Sequence, residues 1–101
     1  IAIMTLYNPY RNMDYEISAG GITVNIGQYA EEKISQANTI IRTVCKEKNI
    51  VLADCYEAFA SSNDIVLNNQ NAENYIDPDD HPTAVGQQLI ADVFIEALFT
   101  K

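Results

Sequence analysis

Residues 1–6 (IAIMTL) form a nearly continuous apolar run. Such a run suits a strand buried on both faces, as in a parallel sheet covered by helices. It stops at Tyr7-Asn8-Pro9-Tyr10. Proline there lacks a backbone donor and forces the residue before it into an extended conformation, so a loop is expected. Residues 11–21 are mixed and polar and close on the breaker pair Gly20-Gly21.

From about residue 22 or 25 to residue 48 the apolar period becomes helical. Ile26, Ala30, Ile34, Ala37, Ile41 and Val44 recur at three- and four-residue steps as one stripe. Glu31, Glu32, Lys33, Arg42, Lys46 and Lys48 take the other face, acid early and base late as the helix dipole prefers. Asn49 is the expected stop. Residues 50–53 (IVLA) read as a second buried strand leading into Asp54, Cys55, Tyr56 and Phe59. Residues 61–80 are rich in Asn and Asp and read as a loop with room for one helical turn. A last helix is expected over about 83–99, capped by Thr83 and carrying Val85, Leu89, Ile90, Val93, Phe94, Ala97 and Leu98 on a broad apolar face.

Strand, helix, strand, helix is the order of βαβ units in a parallel sheet. Two strands and two helices do not bury both faces of such a sheet, and a first strand this apolar expects a neighbour on each side. The expectation is therefore a partial α/β domain over residues 1–101, with further strands on an N-terminal segment preceding Ile1.

Composition narrows the partners. Six Lys and Arg against fourteen Asp and Glu give a net charge of −8. Nucleic-acid binding depends on cationic side chains displacing counterions from phosphates, so this balance argues against it. Anionic membrane surfaces are disfavoured for the same reason, and no stretch approaches the roughly 20 apolar residues of a membrane span. Cys45 and Cys55 have neither CxxC spacing nor a nearby histidine, and they read as small buried hydrophobes, not as a disulfide or metal pair.

The chemistry concentrates in Asp77-Pro78-Asp79-Asp80-His81-Pro82-Thr83, where the single histidine of the chain sits behind three carboxylates at a helix start. An imidazole held by a carboxylate on one nitrogen takes a proton with the other, which is what a general base needs. The cluster has a cation-binding alternative, since hard cations prefer oxygen ligands, but it lacks the ligand spacing of a helix-loop-helix calcium site.

His81-Pro82-Thr83, two residues, Gly86 and then an apolar helix with Ile90-Ala91 resembles the last block of SGNH (GDSL-type) serine hydrolases. Tyr7-Asn8-Pro9-Tyr10 after an apolar strand is similar to the loop that follows the fourth strand of these enzymes. The strand running into Asp54-x-Tyr56-x-x-Phe59 is similar to the segment ahead of their catalytic loop. The three blocks cover essentially the whole chain in the family's order.

The resemblance implies the C-terminal part of a flavodoxin-like three-layer α/β/α domain that hydrolyses esters through a Ser-His-Asp triad, without a cofactor or metal. His81 would be the general base. The family's aspartate usually lies three residues before the histidine, which is Pro78 here, leaving Asp77 and Asp79 as the candidates, Asp77 first. The nucleophile's Gly-Asp-Ser block and the oxyanion glycine and asparagine do not occur in the sequence. Asn8 is not that asparagine, because Tyr-Asn-Pro-Tyr differs from the family's Gly-x-Asn-Asp.

Tyr7, Asn8 and Tyr10 are the candidate substrate-contacting residues, with simple packing of the loop as their other role. The implied partners are an N-terminal half bearing the serine and a small ester or lipid. The implied setting is the outside or surface of a bacterium. The competing expectations are a small non-enzymatic α/β binding module with an acidic cation- or partner-binding loop, and self-association of the chain through an open sheet edge.

Overall fold

The computed structural model describes residues 1–10, 14–64, 67 and 81–99. They form a small mixed α/β unit with a short parallel sheet and three helices. β1 (Ala2–Met4) and β4 (Val51–Ala53) are parallel, with Ala2 opposite Val51, Ile3 opposite Leu52 and Met4 opposite Ala53. The Thr5 N–H continues the ladder by donating to Ala53 O at 3.1 Å. The two apolar runs thus become neighbouring strands, and the helix between them is the crossover.

That helix, α1 (Ile26–Lys48), starts and stops for local reasons. Asn25 is its N-cap, and its side-chain oxygen accepts from the Gln28 N–H at 3.0 Å. Asn49 takes the left-handed conformation (φ 54°), and its N–H donates to Cys45 O, closing the last turn. Lys46 and Lys48 sit in that turn, where the dipole favours cations. The first turn holds no acid, because Glu31 and Glu32 lie beyond it. Ile26, Ala30, Ile34, Ala37 and Ile41 are half-buried as the stripe predicts, but Val44 is exposed and Cys45 takes the buried position beside it.

Two regions depart from the sequence expectation. Residues 11–21 were expected to be loop throughout, and the helix to start as early as residue 22. Instead β2 (Glu16–Ala19) and β3 (Ile22–Asn25) form an antiparallel hairpin, Ala19 opposite Ile22 and Glu16 opposite Asn25. Gly20 and Gly21 are its two-residue turn, with φ of 58° and 81°. Positive φ at both central residues is the turn geometry that matches strand twist, and glycine adopts it without steric cost. Asn25 ends the hairpin and begins α1, donating to Asp14 Oδ1 at 2.8 Å.

The second departure is α2 (Cys55–Ser61), a short helix directly after β4 where no helix was expected. Asp54 caps it, accepting from the Glu57 N–H. α3 (Ala84–Phe99) agrees with expectation, with Thr83 as its cap: Thr83 Oγ1 accepts from the Gly86 N–H at 3.1 Å.

α1 and α3 both pack on the parallel strands, and α2 packs on α3. The large buried apolar side chains among the described residues are Phe59 and Leu67, with Tyr7, Leu89 and Ile90 against them. Val85, Ile95, Leu98 and Phe99 of α3 remain exposed, as do Tyr15, Ile17 and Ile22 on and beside the hairpin. Cys45 and Cys55 are buried free thiols.

Candidate functional site

Three chain segments meet at the carboxyl ends of β1 and β4, the end of a parallel sheet where α/β proteins place their ligands. The first is the loop after β1. At its start the buried Asn38 side chain of α1 receives the Leu6 N–H on Oδ1 (2.7 Å) and returns Nδ2–H to Leu6 O (2.9 Å). The amide thus imitates a strand partner. Tyr7 then stacks on Phe59, ring centroids 4.8 Å apart and planes at 16°. Asn8 is buried; its Oδ1 accepts from the Tyr10 N–H (2.9 Å) and its Nδ2 donates to Glu31 Oε2 (2.8 Å).

The second segment is the start of α2, organised around Asp54. Its Oδ1 accepts from Thr5 Oγ1 at 2.8 Å, and Arg42 Nη2 donates to both carboxylate oxygens at 3.1 and 3.2 Å. Thr5 Oγ1, fully buried, accepts in turn from the Tyr56 N–H at 2.9 Å. Partial burial alone would raise the Asp54 pKa. The hydrogen bonds from Thr5, Arg42 and the Glu57 N–H, with the charge of Arg42, outweigh it and hold the carboxyl below its ordinary 3.8.

A depressed folded-state pKa contributes stability that is present above the unfolded value and is lost as pH falls through the folded one. Denaturant titrations across that acid range should show Asp54→Asn with a shallower loss of stability than the parent chain. An unchanged acid slope would mean that Asp54 is not held by these donors.

Burial and the neighbouring Asp54 charge push the Cys55 thiol up to about 11. It remains protonated at neutral pH and offers no thiolate nucleophile in place of the absent serine block.

The third segment leads into α3. His81 is exposed and precedes Pro82, which bridges to Leu67 in antiparallel fashion. Because Leu67 and Phe59 form one cluster and Tyr7 packs on it, the Tyr7 loop and the His81 segment border the same core. Of the residues expected from sequence, Tyr7, Asn8, Tyr10 and His81 are therefore placed around this end of the sheet. Asp77 and Asp79 lie outside the described residues.

The Asp54–Arg42–Thr5 and Glu31–Tyr56–Asn8 networks escaped the sequence reading. Asp54-x-x-Glu57 after an apolar strand is a capping-box pattern and was the signal for the first. Nothing local marks the second.

The groove between the end of α2 and the first turns of α3 has a volume of about 410 Å³, with Val85 and Leu89 as apolar wall and Asp64 and Asp92 at its rim. Among the described residues, no three His, Cys, Asp or Glu side chains are grouped to hold a metal ion. Nor is any described helix long and apolar enough to cross a membrane.

The chain matches no protein-family model, no curated protein and no solved structure.

Proposed function

We propose that this chain is the C-terminal part of an SGNH-type ester hydrolase with a flavodoxin-like domain, supplying His81 and an aspartate, Asp77 or Asp79, to a Ser-His-Asp triad. The observation that carries the reading is His81-Pro82-Thr83-x-x-Gly86, an exposed imidazole two residues ahead of a Thr83-capped helix, at the carboxyl end of a parallel sheet. The apolar surface left open on α3 supports it, since a helix apolar over much of its circumference is normally covered by more of its domain. In this reading His81 accepts the serine proton as the acyl-enzyme forms and returns it to the leaving alcohol. The aspartate fixes the imidazole tautomer and stabilises the imidazolium. Tyr7 and Tyr10 wall the substrate cleft.

A fluorophosphonate label applied to the protein that carries this segment tests it. The label is expected on one serine outside these 101 residues, and the 101-residue chain alone is expected to leave p-nitrophenyl butyrate intact. Labelling of Ser18, Ser35, Ser61 or Ser62, or ester turnover by this chain alone, refutes the division of labour.

A further inference from the structure

We propose that Glu31 is the positioning residue of the Tyr7–Tyr10 loop, one carboxylate on α1 that locks that loop to α2. The proposal deepens the hydrolase reading by naming what would hold one wall of its cleft, although the clamp itself stands on separate observations. Glu31 accepts from Asn8 Nδ2 through Oε2 at 2.8 Å and from the Tyr56 hydroxyl through Oε1, with Ser35 Oγ a longer third donor at 3.4 Å. Asn8 relays the connection, because its Oδ1 accepts from the Tyr10 N–H at 2.9 Å, an Asx turn. One side chain thereby ties helix, loop and second helix together.

Burial makes the arrangement selective. Asn8 is only 4% exposed, so an amide hydrogen that lost Glu31 would have little water to turn to. The cleft walled by Asn8, Glu31, Tyr56, Phe59 and Ala60 has a volume of about 30 Å³. That is room for about one water and far below the roughly 300 Å³ at which small-molecule sites begin. These polar groups are bonded to one another across that small space, which makes the cluster a joint and not a small-molecule pocket. Its other side is Phe59, on which Tyr7 stacks, so the loop is held by a carboxylate at Asn8 and by an aromatic plane at Tyr7.

Glu31→Leu is the discriminating variant. It keeps much of the side chain's bulk but removes both carboxylate oxygens, and so can receive neither the Tyr56 hydroxyl nor Asn8 Nδ2. In the 101-residue chain, the Tyr10 amide is expected to exchange with solvent about tenfold faster, while the Thr5 amide, bonded to Ala53 O, stays protected. The Tyr56 phenol is held above its ordinary 10 chiefly by the Glu31 hydrogen bond, with burial second. Its titration midpoint is expected to fall toward 10 in the variant.

Tyr56→Phe removes one donor without touching Asn8, and is expected to leave Tyr10 protected. Unchanged Tyr10 exchange in Glu31→Leu overturns the clamp, whatever the protein catalyses. In a protein that carries this segment, Glu31→Leu is expected to raise KM with kcat nearly constant. Faster Tyr10 exchange with an unchanged KM would keep the clamp and remove the loop from the substrate cleft. Absence of any esterase activity would defeat the hydrolase reading alone.

Discussion

If the proposed triad holds, replacing His81 with alanine in a protein that carries this segment is expected to lower kcat for a short-chain ester by roughly 10⁴- to 10⁶-fold, with KM little changed. The size follows from what the imidazole does in such a site. In the proposed triad, the serine hydroxyl would without it have no acceptor for its proton during attack, and the leaving alkoxide no donor. Three other titratable side chains at this end of the sheet are otherwise engaged. Asp54 is committed to Thr5, Arg42 and the α2 cap, Glu31 to Asn8 and Tyr56, and the Cys55 thiol is buried and protonated.

Asp77→Asn and Asp79→Asn assign the third member. The true partner is expected to cost about 10⁴-fold, through loss of the correct imidazole tautomer, and the other little. Steady-state kinetics on the three variants decide it. If His81→Ala keeps its rate within tenfold of the parent, the triad is abandoned and the acidic loop is better read as a binding element.

The second large effect falls on stability. Asn38→Leu preserves the size of a side chain 1% exposed but strips the Leu6 N–H and C=O of their partner. Leu6 itself is 44% exposed, so its two backbone groups can turn partly to water, and the loss expected by urea denaturation is about 2 kcal/mol in total. Leucine recovers some apolar burial, which also holds the figure down. Asn38→Asp retains an acceptor for the Leu6 N–H but turns a carboxylate toward Leu6 O. That carboxylate would have a raised folded-state pKa, so its penalty should shrink as pH falls, whereas the leucine variant shows no such recovery. A loss below about 1 kcal/mol in Asn38→Leu would mean that Leu6 finds water, and that the amide fork contributes little.

Elements that bury a continuous or periodic apolar surface were readable from the chain. The residue 1–6 and 50–53 runs became β1 and β4, the six-residue stripe placed α1, Asn49 stopped it, and Thr83 capped α3. The hairpin was not read, although Glu16–Ala19 and Ile22–Asn25 flank a Gly-Gly pair in the standard spacing. Tyr15, Ile17, Ala19, Ile22 and Val24 alternate there with Glu16, Ser18, Thr23 and Asn25, a hairpin signal that the mixed polarity of residues 11–21 as a whole obscures, and β2 buries none of its residues. The buried polar residues were missed for another reason. Asn38 acquires its partner 32 positions away and Asn8 acquires Glu31 23 positions away. An asparagine in a helix or a loop carries no local mark of a bond that only tertiary structure creates. At the candidate site, His81 and the Tyr7–Tyr10 loop stand out in sequence because residue types cluster there, whereas the Asp54 and Glu31 networks leave no such cluster.

The fork from Asn38 also sets which way the sheet can grow. Backbone groups of successive strand residues point to alternate edges, and the Thr5 N–H points toward β4. Leu6 therefore presents its N–H and C=O to the opposite edge, and there Asn38 already occupies both. A strand added beside β1 would meet the Asn38 side chain at the level of Leu6 and would have to part from β1 there, just ahead of Tyr7 and Tyr10.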